Sequence, residues 1–282
     1  MESLESSVKL EGAAQSLLLT LASRAFESAQ QKPIVQDQVA KDLLKRIRYD
    51  AAQLSQDRLY HTIICLRTRR FDAAVSSFLR TCPTGTIVNL GCGLDTRFER
   101  LDNGRARWLD LDFPEVIELR RKLLEENSRR RFVACSITDL RWLDEVSVFA
   151  STPVLFLAEG VLMFVEPNDV HGMMSAICSR FPGSSLLFDA VTPLEVSLQR
   201  YHPTLRKTQA RLRWGLPSPQ SLRAAHPNLR LVAQWFYCDE PEPRLGWYRR
   251  LRFLPWVTRT ARVLLFDVID LQAAITPSSP SR

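Results

Sequence analysis

The stretch TIVNLGCGLDTRF, Thr86 to Phe98, decides the fold. Ile87, Val88 and Leu90 form a short, partly β-branched apolar run, and the polar Asn89 inside it argues against a membrane segment or a long helix. The run predicts an inner strand of a parallel sheet. Gly91 and Gly93 follow at once, where a backbone without Cβ atoms can bend tightly and let a ligand approach. Doubly wound α/β proteins bind nucleotide-like molecules at such a turn, beyond the carboxyl end of a strand. A dinucleotide fingerprint wants a third Gly or Ala three positions after Gly93, and Thr96 stands there instead. That substitution weakens a pyrophosphate site and disfavours a nicotinamide oxidoreductase. Two glycines alone fit a plain tight turn equally well.

The next segment, ARWLDLDFPEV from Ala106 to Val116, supplies a second short strand ending in acids. They lie about twenty residues past the glycines, the spacing at which an acidic side chain meets a ribose. Asp110 and Asp112 are the candidates, since an ionised carboxylate accepts from paired hydroxyls and repels a phosphate. The alternative is that both acids cap the following helix, which has Pro114 in its first turn.

These residues resemble the leucine carboxyl methyltransferase and polyketide (tetracenomycin-type) O-methyltransferase family, a class I group dependent on S-adenosylmethionine. Four blocks match in order: VNLGCGLDTRFERL, WLDLDFPEVIELRRKLL, CSITDLRWL and PVLFLAEGVLMFVEP, with LRTRRFD upstream similar to an arginine-bearing helix. They span Leu66 to Pro167. The resemblance implies a Rossmann-like α/β fold, with a mostly parallel seven-stranded sheet, helices on both faces, an N-terminal helical cap and a helical lid. It implies S-adenosylmethionine as cofactor. It also implies that Arg67 pairs with the methionyl carboxylate, with Arg69 and Arg70 as rivals on a run that otherwise reads as a solvated helix face. Gly91 and Gly93 would lie along the methionyl part, Asp112 would bind the ribose with Asp110 assisting, Asp139 would accept from the adenine amino group and Leu140 would cover the ring. Glu159 would neutralise the methionyl ammonium; an acid ending so apolar a strand is costly to bury without a partner.

The chain has 282 residues, 45% hydrophobic and 24% charged, ordinary for one globular unit with additions. No apolar run approaches the roughly eighteen residues of a transmembrane helix, so no membrane partner is expected. The first twenty residues carry three glutamates, and SLLLTLA reads as an amphipathic helix, not a secretory signal; a cytoplasmic location is expected. Six cysteines without C-x-x-C spacing and four histidines without ligand pairing point to no metal. The net charge of +7 is spread over several arginine-rich stretches with no nucleic-acid module, so no nucleic-acid partner is expected. The sequence assigns no oligomeric state.

Helices are expected from Leu10 to Ala29, from Val35 to Arg48 and from Tyr60 to Leu79, giving a cap over residues 1–80. The core would run over 81–272. Within it SSLLFDAV is a fifth buried strand, a lid occupies about 195–226, and NLRLVAQWFYC and ARVLLFDVID form a closing antiparallel pair. The tail at 273–282 is expected to be disordered.

Methyl transfer from a sulfonium is an in-line displacement that profits most from alignment and exclusion of water. A carboxylate acceptor needs no base, whereas a phenol benefits from one. His171, His202 and Tyr201 are available, and no catalytic base is assigned among them. Lys32 lies in QKPIVQD, which resembles the family's N-terminal lysine-proline region, and the resemblance makes it a candidate anchor for an acceptor carboxylate. The expected function is S-adenosylmethionine-dependent O-methylation of a hydroxyl or carboxylate on a small, polyketide-like molecule. A protein C-terminal carboxyl methyltransferase and a non-catalytic cofactor-binding protein are the alternatives.

Overall fold

The computed structural model describes residues 13–47, 58–201, 210–239, 242–251, 254 and 259–270. His202 and the tail at 273–282 lie outside them. Seven strands build one sheet: β1 (Thr86–Leu90), β2 (Arg107–Asp112), β3 (Arg130–Ala134), β4 (Val154–Ala158), β5 (Ser185–Val191), β6 (Leu229–Phe236) and β7 (Ala261–Val268). Their order is β3-β2-β1-β4-β5-β7-β6. The first five are parallel, while β7 runs antiparallel to β5 and β6 antiparallel to β7. The inner strand and the closing pair fall where the sequence predicts them.

Alternation along β1 sends its side chains to two cores, as the period of two requires. Ile87 faces α3 (Arg58–Thr81), whose Phe71, Val75 and Leu79 repeat every four residues along one stripe. Val88 and Leu90 face the opposite side, against Trp142, Leu143 and Val146 of α6 (Trp142–Phe149) and Val170, Met173, Met174 and Ile177 of α7 (Pro167–Arg180). Both sheet faces are therefore covered, which is why the inner strands read as nearly continuous apolar runs.

The cap consists of α1 (Ala13–Glu27) and α2 (Gln38–Ile47), whereas α3 covers the sheet itself. The cap helices begin and end within three residues of the limits expected from sequence, with Lys32 and Pro33 in the turn between them. The Asp37 carboxylate starts α2 by accepting the Ala40 N–H at 2.9 Å. Leu21 and Ala25 of α1 and Ala40 and Leu43 of α2 pack on Ile117, Leu119 and Leu123 of α5 (Pro114–Leu123). Between β5 and β6 come α8 (Pro193–Leu198) and α9 (Pro219–Ala225). Residues 210–218, which lead into α9, bury Leu212, Trp214 and Leu216, and Trp214 packs on Phe188. No helix among the described residues is long and apolar enough to cross a membrane.

Candidate cofactor site

Strand order reverses at β1, whose neighbours are β2 and β4. A crevice must open there beyond the carboxyl ends, because the connections leave in opposite directions. The structure has a cavity of about 680 Å³ at this point, lined by Gly91, Asp112, Val116, Ile137, Gly160 and Val161, together with Leu17 of α1.

Gly91 has φ +64° and Gly160 φ +69°, the left-handed region in which a side chain is strained. Space adds a second constraint: a Cβ at Gly91 would lie 2.6 Å from a Val161 methyl. Gly93 serves a different neighbour. Its missing Cβ makes room for Leu17, and its N–H donates to Asp112 Oδ2 at 2.7 Å. The glycine turn thus meets cap, acid and cavity together.

The two strand-ending acids separate. Asp110 accepts from Arg120 and Arg130, each at 2.9 Å, and is consumed in that buried pairing. It does not line the cavity. Asp112 lies on the wall at 8% exposure, its Oδ1 accepting the Phe113 N–H at 2.7 Å. Burial pushes its carboxyl above the usual aspartate range despite the Gly93 and Phe113 N–H groups.

Glu159 and Arg67 lie behind Gly160 and, like Gly93, do not themselves line the cavity. Arg67 Nε donates to Glu159 Oε1 at 3.0 Å, and Thr68 donates to the same oxygen at 2.8 Å. Arg97 reaches Glu159 Oε2 at 2.5 Å while holding Asp72 and Asp95 at 2.7 and 2.5 Å. Burial disfavours the charge on Glu159, but the Arg97 and Arg67 guanidiniums outweigh it and hold the carboxyl below its usual range.

The Asp139 block departs from expectation. Asp139 accepts from Arg141, two residues on, and neither it nor Leu140 lines the cavity. Leu140 packs against the core beneath. The wall is formed instead by Cys135, Ser136, Ile137 and Thr138, with the Ile137 carbonyl fixed by Trp142 Nε1 at 3.1 Å. A turn aspartate with an arginine two residues later is satisfied locally.

Lys32 is exposed in its turn and does not line the cavity, and Tyr201 is 63% exposed. His171 is stacked on His226, with Nδ1 and Nε2 2.9 Å apart. Among the described residues no group of three or more His, Cys, Asp or Glu side chains is placed to hold a metal.

Thr96 has a structural task. Its hydroxyl donates to Asp37 Oδ2 at 2.5 Å and accepts from Arg100 at 2.7 Å, while Arg24 holds Asp37 at 2.9 Å. The position at which a dinucleotide protein keeps a small residue here ties the glycine turn to the cap. Sequence reasoning missed Asp95, Arg97 and Asp189, although each carried a signal. Asp95 and Arg97 are opposite charges two apart beyond the turn, and Asp189 interrupts an apolar strand just as Glu159 ends one.

Asp37, Asp95 and Glu159 all have carboxyls held below their ordinary values of 3.8, 3.8 and 4.5 by arginines that outweigh burial. Groups depressed on folding contribute stability that is full above the unfolded values and is lost as pH falls through the folded ones. Asp112 and Asp189 are raised on folding and run the other way, losing a destabilising charge as they protonate. Thermal melting should therefore decline below about pH 4, where these carboxyls take up protons in the unfolded chain before they do in the folded one. A melting temperature unchanged between pH 5 and pH 3 would contradict this.

The sequence pattern of the leucine carboxyl methyltransferase family matches residues 17–178. A tetracenomycin polyketide synthesis O-methyltransferase from Streptomyces glaucescens is 34% identical over 235 residues, covering 83% of this chain and 86% of its own. An S-adenosyl-L-methionine-dependent methyltransferase from Gibberella zeae is 30% identical over 261 residues, covering 86% and 87%. Among solved structures, magnesium protoporphyrin IX methyltransferase from Synechocystis, with bound S-adenosylhomocysteine, aligns at a TM-score of 0.50 and 12% identity over 89% of this chain and all of that one. A duf574 family protein from Streptomyces avermitilis aligns at 0.57 and 13% identity, over 88% and 96%. At those identities the structures speak for the fold alone. The family pattern covers more than half of the sequence and the Streptomyces glaucescens relative aligns over most of both chains, so this protein belongs to the leucine carboxyl methyltransferase family of S-adenosylmethionine-dependent methyltransferases.

Proposed function

We propose that the protein transfers the methyl group of S-adenosylmethionine to an oxygen of a small organic acceptor, a polyketide-like carboxylate or phenol. The observation that carries this is the 34% identity, along most of both chains, to an O-methyltransferase of polyketide synthesis.

The cavity suits the cofactor on its own terms. A buried carboxylate, Asp112, stands on a wall that is otherwise largely apolar, an arrangement that pairs ribose hydroxyls with a charged acceptor and leaves a flat base to Val116, Ile137 and Val161. Gly91 lets the backbone approach without a side chain. Arg67 and Glu159, bonded to each other behind Gly160, would have to reach past that glycine to pair with the methionyl carboxylate and the ammonium. The adenine contact falls to Ser136, Ile137 and Thr138 in place of Asp139 and Leu140.

When bound, the cofactor supplies an electrophilic methyl on a sulfonium and departs as a neutral thioether. The residues of the chain align and dehydrate. Leu17 of the cap and Ala210, Arg211 and Arg213 of the segment before α9 border the cavity on the solvent side, where they can exclude water from the reacting centre.

Incubating the protein with methyl-labelled cofactor and an extract containing small molecules and proteins tests the acceptor class. Label in an organic-soluble product is expected. Label confined to protein carboxyl termini would replace the small-molecule acceptor with a protein, and cofactor binding without transfer to any fraction would remove the enzyme activity.

A further inference from the structure

Asp189 lies within the buried run of β5, between Phe188 and Ala190, and has no exposed surface. Three donors converge on it. The Gly160 N–H donates to Oδ1 at 2.7 Å, Arg67 Nη1 lies 3.5 Å from Oδ2, and the Tyr237 hydroxyl donates to Oδ2. Tyr237 comes from far away in the chain, on the turn after edge strand β6, where its N–H meets the Ala261 carbonyl of β7 at 3.4 Å. Because β7 lies between β6 and β5, the tyrosine side chain spans a strand to deliver its hydroxyl.

Neither Asp189 nor Tyr237 lines the cavity, but Asp189 holds Gly160, which does, and Arg67 just behind it. Gly160 is part of the wall, and the Arg67 guanidinium occupies the space where a Gly160 side chain would be, 2.9 Å from the Cβ position. Arg67 is thereby anchored at two points, to Glu159 after β4 through Nε and to Asp189 in β5 through Nη1. Two anchors on adjacent strands fix the plane of a guanidinium that a single anchor would leave free to rotate about its stem. The phenol hydroxyl adds a charge-assisted bond to Asp189 and restrains the carboxylate in turn.

We infer that Asp189 and Tyr237 are positioning residues for the amino-acid end of the cofactor: they set the orientation of Arg67, and through it the affinity for S-adenosylmethionine. The inference rests on the proposed pairing of Arg67 with the methionyl carboxylate. It requires that an edge-strand tyrosine outside the cavity acts on one part of the ligand and not on the rest.

Calorimetric titration of the full chain with S-adenosylmethionine and, separately, with adenosine tests it. Tyr237→Phe keeps the ring and removes only the hydroxyl. It should weaken S-adenosylmethionine binding about tenfold, the scale of one bond to a charged group, and leave adenosine binding unchanged. Asp189→Asn, which keeps the shape of the side chain, should behave in the same way. In an Arg67→Lys background the tyrosine change should add less than twofold, because the group through which it acts is gone. Equal losses for cofactor and adenosine in Tyr237→Phe, wild-type affinity in that variant, or full additivity with Arg67→Lys would each overturn the inference. Undiminished cofactor binding in Arg67→Lys alone would instead remove the Arg67 pairing, and the inference with it.

Discussion

Replacing Arg97 with methionine is expected to lower stability by about 3–5 kcal/mol, the cost of removing one partner from a buried ion cluster. Arg97 is 1% exposed and joins three elements: Asp72 of α3, Asp95 of the glycine turn and Glu159 at the end of β4. Methionine fills similar volume and keeps some packing on Phe71, over whose ring the guanidinium lies at 5.7 Å, but it leaves three carboxylates facing one another. Arg67 and Arg100 remain nearby and offset part of the repulsion. A fall in melting temperature of about 10 °C is the expected reading, with the loss smaller at pH 4 than at pH 7 as carboxylates protonate. A variant melting within about a degree of wild type would show that the cluster does not hold these elements together.

Replacing Asp112 with alanine should weaken S-adenosylmethionine binding about a hundredfold, since two hydrogen bonds to a charged acceptor are lost. Asp112 also receives the Gly93 and Phe113 N–H groups, so some of the loss comes from relaxation of the turn. Asp112→Asn separates the two effects. It retains one acceptor oxygen and the shape of the site, and its binding should fall about tenfold. The pH dependence gives a further signature. The folded pKa of Asp112 is raised by burial, so wild-type affinity should begin to fall at a higher pH than an ordinary aspartate would cause. The asparagine variant should lack that dependence, and an identical acid limb in both proteins would assign the titration to another group.

Much of the fold was legible because its signals are local. The period of two in β1, the glycines at positive φ and the alternation of strands with helices are each written within about a dozen residues. Long-range pairing was not. Arg67 and Glu159 are 92 positions apart and Arg97 and Glu159 are 62 apart, and nothing in the sequence says that they meet. Asp110 and Asp112 show the same limit over two residues: they share a face of β2 by parity, and only the positions of Arg120 and Arg130 decide which carboxylate is consumed. Asp139 illustrates the converse, since Arg141 holds it at short range and off the cavity wall. Thr96 looked like a defect in a nucleotide fingerprint and is the bond between that turn and the cap.

The most direct test is a crystal structure of the protein with S-adenosylhomocysteine. The ligand should fill the cavity between β1 and β4, with both ribose hydroxyls within hydrogen-bond distance of the Asp112 carboxylate and the amino-acid end directed toward Arg67. A ligand bound elsewhere, or in this cavity with its ribose turned away from Asp112, would contradict the assignment.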